Sequence, residues 1–256
     1  MRKRIIGLSC LMLISTIGFV NVDAQCRISR HGDDMHSQNQ IRKDNPTTQP
    51  TNGVINNHEW VDLGLSVKWA TCNIGANNPM QYGDYFAWGE IASKDDYHSQ
   101  NSKTFNQRIN DFSGNSEYDA ATAIWGEEWR MPSIAEFEEL IDNCIFEWIH
   151  IDGAVVCKAI SKKNGKSILF PGNGKMINRN LRNEISYNHA DGSWENSWGY
   201  YWSSTPIDDS ADTHGDPREY YAQSLLLYGE KFGRYCKYTV SWDGRWFGMM
   251  IRPVTE

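Results

Sequence analysis

Apolar and polar positions divide this chain into stretches of distinct character. Ile5 to Val20 is a nearly unbroken apolar run behind the basic Met1-Arg2-Lys3-Arg4. Residues 25–57 are Asn, Gln, Ser, Thr, Pro and charge, with almost no apolar side chains. The character changes at Trp60, where short aromatic and β-branched blocks begin to alternate with Gly, Asn and Asp. One segment has a helical period: Ile134, Phe137, Leu140 and Ile141 share a face, behind the capping box Ser133-x-x-Glu136. This predicts a helix over 134–143. Ala120–Trp125 reads as a second short helix or as a turn. Residues 60–70 read as two short strands with a turn. Further strands are expected at Ala154–Ile160, Ser167–Phe170, Tyr200–Ser204, Tyr221–Tyr228, Cys236–Trp242 and Phe247–Val254. Asn164-Gly165 and Asp243-Gly244 read as turns with positive-φ residues. Residues 91–118 read as a long surface excursion. No helices alternate with the strands, so the sheet is expected to be antiparallel and the class α+β.

The first 24 residues carry the basic, apolar and small-residue regions of a secretory signal, with cleavage near Ala24. The apolar run is shorter than the ~20 residues a membrane-spanning helix needs, and Asp23-Ala24-Gln25 before Cys26 fits a lipoprotein signal badly. No later apolar stretch is long enough to span a membrane. The expected order is therefore a signal peptide (1–24), a flexible polar leader (25–57) and one domain (58–256). The mature chain is expected to be secreted or held at the cell surface or periplasm. Such polar stretches as 25–57 cannot offset their ordering entropy by burial.

That address changes the reading of the cysteines. Cys10 leaves with the signal, and Cys26 lies in the leader. Cys72, Cys144, Cys157 and Cys236 remain, in a compartment where pairing is the default. They allow three connectivities; Cys72–Cys144 with Cys157–Cys236 is the expected one. The 11 Trp among 256 residues supply large apolar areas for a core. A net charge of −7 argues against nucleic acid and anionic membrane surfaces as partners.

Seven blocks then occur in one order: Trp60-Val61-Asp62-Leu63-Gly64-Leu65, Trp69-Ala70-Thr71-Cys72-Asn73-Ile74-Gly75-Ala76, Tyr82-Gly83-Asp84-Tyr85-Phe86-Ala87-Trp88-Gly89-Glu90, Trp129-Arg130-Met131-Pro132-Ser133, Leu140-Ile141-Asp142-Asn143-Cys144, Gly199-Tyr200-Tyr201-Trp202-Ser203-Ser204-Thr205 and Ile251-Arg252-Pro253-Val254. In this the chain resembles, over about residues 58–256, the Fibrobacter succinogenes major paralogous domain family of secreted proteins, abundant in gut Bacteroides. The resemblance implies a C-type-lectin-like fold, with short helices, a twisted antiparallel sheet and long loops. It carries no established catalytic activity. Phe170-Pro171-Gly172-Asn173-Gly174 and the acidic 205–220 loop depart from the family pattern. Cys157 and Cys236 stand where the family has ordinary strand residues, implying an added bridge.

Two groups of residues invite a functional reading. Trp194, Trp198, Trp242 and Trp246 lie among Gly, Ser, Asn and Asp, and exposed indoles can stack on sugar rings. By contrast, Trp60, Trp69, Trp88, Trp129 and Trp202 belong to the family blocks and are expected in the core. Asp208, Asp209, Asp212 and Asp216, with His214, form an acidic run read first as a solvated loop, with calcium as the alternative. No other cofactor is implied. Glu136 is accounted for by capping, Glu127 and Glu128 by no catalytic spacing, and Ser203-Ser204 lacks the context of a nucleophile. The expected role is non-catalytic binding of a glycan or an envelope protein. The alternatives are a structural subunit of a surface or fimbrial assembly and, behind it, a formylglycine-generating type of enzyme.

Overall fold

Asn56 and Asn57 both take positive φ, 50° and 65°, and close a two-residue hairpin between β1 (Asn52–Ile55) and β2 (His58–Val61). Mirror-image turns of this kind match the twist of the strands they join, and Asn tolerates them. The computed structural model describes residues 52–151, 154–172, 174–182, 186–188, 193–195, 198–229 and 236–256, with backbone alone at 186–188, 193–195 and 236–237. The expected signal peptide, Cys26 and most of the expected leader lie outside the described residues. The leader's last six do not: the first hairpin begins at Asn52 instead of the expected boundary at 58.

β3 (Lys68–Ala70) continues the sheet beside β2. The excursion at 91–118 follows, pinned by Tyr97 and Phe112, which are 1% and 4% exposed. Residues 120–125 are a helix, α1 (Ala120–Trp125), capped by the buried Asp119. The Asp119 carboxylate accepts from the Gly114, Ala121, Thr122 and Met131 amides at 2.8–3.1 Å. It thereby satisfies two orphan donors of α1 and ties two flanking loops to it.

The capping box forms as expected at α2 (Ile134–Asn143): Ser133 Oγ accepts the Glu136 amide and Glu136 Oε2 accepts the Ser133 amide at 2.8 Å. The same carboxylate receives both Nη groups of Arg130 at 2.9 and 2.6 Å. Phe137 and Leu140 are the buried face. α2 runs into β4 (Cys144–Ile151) with no residue between. β4, β5 (Ala154–Ser161) and β6 (Ser167–Pro171) form an antiparallel meander. In the 162–166 turn only Gly165 takes positive φ, 73°. Asn164 instead uses its side chain, donating to the Asp62 carbonyl and accepting from the Lys166 amide.

Two small hairpins follow, β7 (Lys175–Ile177) with β8 (Asn180–Arg182) and β9 (Ser186–Asn188) with β10 (Ser193–Glu195). β11 (Trp198–Pro206), β12 (Tyr221–Gly229) and β13 (Cys236–Gly244) make a second antiparallel meander. Asp243-Gly244 is not the expected positive-φ turn: both residues pair with β12, and the chain turns immediately after them. The last strand, β14 (Val254–Thr255), pairs with β3, so the sheet order is β1-β2-β3-β14. The expected strand over Phe247–Val254 is only this short ladder. The residues before it bridge different partners in turn: Gly248 to Met176, Met249 to Phe86, Met250 to Tyr201.

The class is α+β with antiparallel sheets. The core falls into two clusters. One joins Trp69, Phe137, Phe170 and Tyr201; the other joins Trp60, Trp88, Trp129 and Trp202. All five family-block tryptophans are buried as expected. A buried indole N–H needs an acceptor, and Trp88, Trp129 and Trp202 donate to the carbonyls of Ser203, Ile55 and Phe86. These bonds lock distant segments together. Trp69 Nε1 has no such partner. No helix among the described residues is long and apolar enough to cross a membrane.

Candidate functional site

The turn after β13 lays Trp246 flat on Gly244: a Cβ there would lie 2.7–2.9 Å from the indole ring. The Phe247 amide donates to the Gly244 carbonyl at 2.9 Å and closes the turn. Trp246 meets Phe105 edge to face at 5.3 Å between centroids, and Phe105 stacks on Tyr220 at 4.3 Å. Tyr221 contacts Trp242 at 4.8 Å and Trp246 at 6.4 Å. Trp242 is 37% exposed, and Phe105, Tyr220, Tyr221 and Trp246 are each partly exposed. Five half-exposed rings thus gather where the 102–107 loop, the start of β12 and the end of β13 meet. The Tyr221 hydroxyl donates to Asp216 Oδ2 at 2.6 Å, and that carboxylate pushes its pKa up to about 12.

Trp242 and Trp246 come together through Tyr221. Trp198 does not join them directly. It stacks with Tyr228 and Tyr200 on the other face of the β11–β13 sheet. A chain of contacts connects the two groups around the strand ends: Lys175 Nζ sits 4.3 Å from the Tyr200 ring and 4.7 Å from that of Phe247, which abuts Trp246. Lys175 is held by Asp243. The side chain of Trp194 lies outside the described residues.

Beside the ring cluster opens a cleft of about 490 Å³, walled by residues 108–110 and 205–209 with Arg218, Glu219, Gln223 and Arg245. This is within the usual range for small-ligand sites. Asp208 and Asp209 of the acidic run belong to its wall. Asp208 Oδ1 accepts from the Ser210 amide and hydroxyl, which hold its pKa below the usual carboxylate range. Asp212 Oδ1 accepts from the His214 amide, and Asp216 from Tyr221. Three of the four acids are thus engaged in shaping the loop. Among the described residues no three His, Cys, Asp or Glu side chains converge as metal ligands.

The cysteines depart from expectation. Cys72 and Cys144 are free thiols, so the expected Cys72–Cys144 bridge is not formed. Cys72 borders a separate cavity of about 300 Å³ with His58 and Trp125, whereas Cys144 is buried in the first core cluster between α2 and β4. Cys157 lies in the middle of β5, and the side chain of its expected partner Cys236 lies outside the described residues.

Several polar side chains of the same regions have structural partners. Ser203 donates to the Gln223 carbonyl, and Ser204 and Thr205 both donate to Asp111. Glu128 accepts from Asn56, and Glu139 from the Ser66 amide and hydroxyl. The residues that sequence reasoning missed are Phe105, Tyr220, Tyr221 and Arg245. Only the 220–221 aromatic pair, at the head of an expected strand, offered a signal.

No known protein family, no curated protein and no solved structure matches this chain.

Proposed function

We propose that this is an exported recognition domain of the cell envelope that binds glycans without catalysis, using the Phe105, Tyr220, Tyr221, Trp242 and Trp246 cluster and the cleft beside it. The observation that carries the reading is that these five rings gather and remain partly exposed, two of them next in sequence to the cleft-lining Glu219 and Arg245, while Trp60, Trp69, Trp88, Trp129 and Trp202 are buried. Apolar ring faces stack on sugar CH groups, and neighbouring polar groups take the hydroxyls. Membership of the major paralogous domain family and a C-type-lectin-like fold are part of the same proposal. Two short helices, antiparallel sheets, the long excursion at 91–118 and the pairing of β3 with the terminal β14 support it. Placement at the cell surface or periplasm rests on the signal-like first 24 residues.

A glycan array on the mature chain, followed by titration calorimetry of wild type and Trp242→Ala, tests the reading. Binding is expected, with at least about a tenfold loss in the variant, the scale of a lost ring stack plus its buried area. A blank array, or binding indifferent to Trp242, rejects it.

A second reading, a structural subunit, has one observation in its favour. β1 is an edge of its sheet, and Val54 on it is 62% exposed. Open edges template pairing with another chain. Concentration-dependent assembly lost in Val54→Lys would support this reading, and a monomer at all concentrations would reject it.

A further inference from the structure

Two arginines are buried among the described residues, and they differ in one respect. Arg252 is wholly buried, and every guanidinium nitrogen is satisfied: Nε by Asn73, Nη1 by the Ala70 and Thr71 carbonyls, Nη2 by the Leu169 carbonyl at 2.7 Å. This is a structural cation. Arg245 is 2% exposed, with Nε on the Tyr221 carbonyl at 2.9 Å, Nη1 on the Gln107 carbonyl at 2.6 Å and its plane 4.2 Å from the centre of the Trp88 ring. Its Nη2 has no protein partner among the described residues, and the residue lines the cleft beside the aromatic cluster. Among the described residues no carboxylate lies within ion-pair distance of it, and Glu219 acts on it only from farther away. A buried cation without a counterion is costly. Arg245 lines the cavity, so a missing partner has a place to come from.

The surroundings narrow its chemistry. Arg218 and Arg108 also line the cleft and carry no ion pair among the described residues; Arg218 is anchored only through Nη1 to the Asp208 carbonyl at 2.5 Å. Three arginines thus border one cavity. The acids on the same walls are Asp208, Asp209 and Glu219. Asp208 is occupied by Ser210, which leaves Asp209 and Glu219 to accept from hydroxyls. Formal charge balances across the lining, which suits a ligand with one anionic group and several hydroxyls rather than a polyanion. Burial pulls the Arg245 pKa down to about 10, so it remains a cation at neutral pH.

We infer that the cleft is an oxyanion subsite in which Arg245, assisted by Arg218 and Arg108, reads a carboxylate or sulfate carried on a saccharide. The inference rests on the recognition reading above and gives it a ligand class: acidic glycans, their rings on Tyr221 and Trp242 and their anionic group on the arginines. With Nε and Nη1 fixed on carbonyls, Nη2 is held in place as a charged donor for such a group.

The test is titration of the full chain with three oligosaccharides on one backbone: a galacto-oligosaccharide ending in a single galacturonate, its neutral methyl ester, and the same oligosaccharide carrying one sulfate ester instead. Free galacturonate, followed by amide and side-chain chemical shifts, is a fourth arm. The acidic forms are expected to bind at least about tenfold tighter than the neutral one, in line with hydrogen bonds to a charged group. That advantage should shrink with salt. A preference for galacturonate over sulfate, or the reverse, identifies the source of the oxyanion. Arg108→Ala/Arg218→Ala, on the rim, should cut the preference for the acidic forms several-fold. Arg245→Lys, which keeps the charge but loses the fixed Nη2 donor, should weaken the acidic forms.

Equal affinity for acidic and neutral forms, with loss of both in Trp242→Ala, overturns the subsite and leaves the recognition reading standing. Absence of binding by every oligosaccharide overturns the recognition reading. The subsite then stands only if free galacturonate still shifts signals around Arg245 in wild type and not in the rim variant. An unchanged preference in the rim variant overturns it outright.

Discussion

Gly244 and Trp246 show how one missing side chain can build a surface. The indole occupies the space where a Cβ would be, so the ring is presented toward Phe105 and Tyr221 instead of folding elsewhere. Gly244→Ala should displace Trp246, at a cost of about 1–3 kcal/mol in stability as for other overpacked sites. It should also change the tryptophan emission and weaken glycan binding several-fold. Unchanged emission and affinity would show that the ring does not depend on this contact. Arg245 makes the complementary point. A single Arg between a turn and an aromatic pair carries no pattern in the sequence, and only the three-dimensional count of its donors separates it from Arg252.

At the level of elements, local signals were readable where they act within one turn of chain. The Ser133/Glu136 box specified α2, and the alternating blocks specified β5, β6 and β12. The α1 helix was ambiguous because six residues give little periodicity. Its cap resolves it: four amides converge on Asp119. Asp119→Ala is expected to cost about 2–4 kcal/mol, combining loss of a cap with unpaired buried amides. Denaturant unfolding measures this, and a loss under about 0.5 kcal/mol, the size of an ordinary surface change, would contradict it. β4 was not legible because α2 passes into it with no glycine or proline to mark the change. The 247–254 segment misled for the opposite reason. Its apolar run looks like a strand, but its residues bond successively to Met176, Phe86, Tyr200 and Arg130, and a tie between elements has no period of its own.

Across the whole molecule, long-range cohesion comes from buried indoles and arginines that bond to distant backbone carbonyls. The expected Cys72–Cys144 cross-link takes no part in it. The Cys72–Cys144 expectation failed because a bridge needs matching geometry, which sequence spacing does not supply. A thiol reagent on the native protein is expected to modify Cys72, which is partly exposed, and to spare Cys144, whose pKa burial pushes up to about 11. Cys144 should react once the chain is unfolded without reductant. Failure of both to react after unfolding would show that they are bridged.

Hydroxyl-radical footprinting of the mature chain with and without its best-binding glycan tests the recognition surface most directly. Trp242, Trp246, Tyr220, Tyr221 and Phe105 are expected to become protected together, while exposed residues on β1 and β4 such as Val54 and Ile145 stay unchanged. Protection at those distant residues, with the five rings still fully oxidisable, would contradict the account.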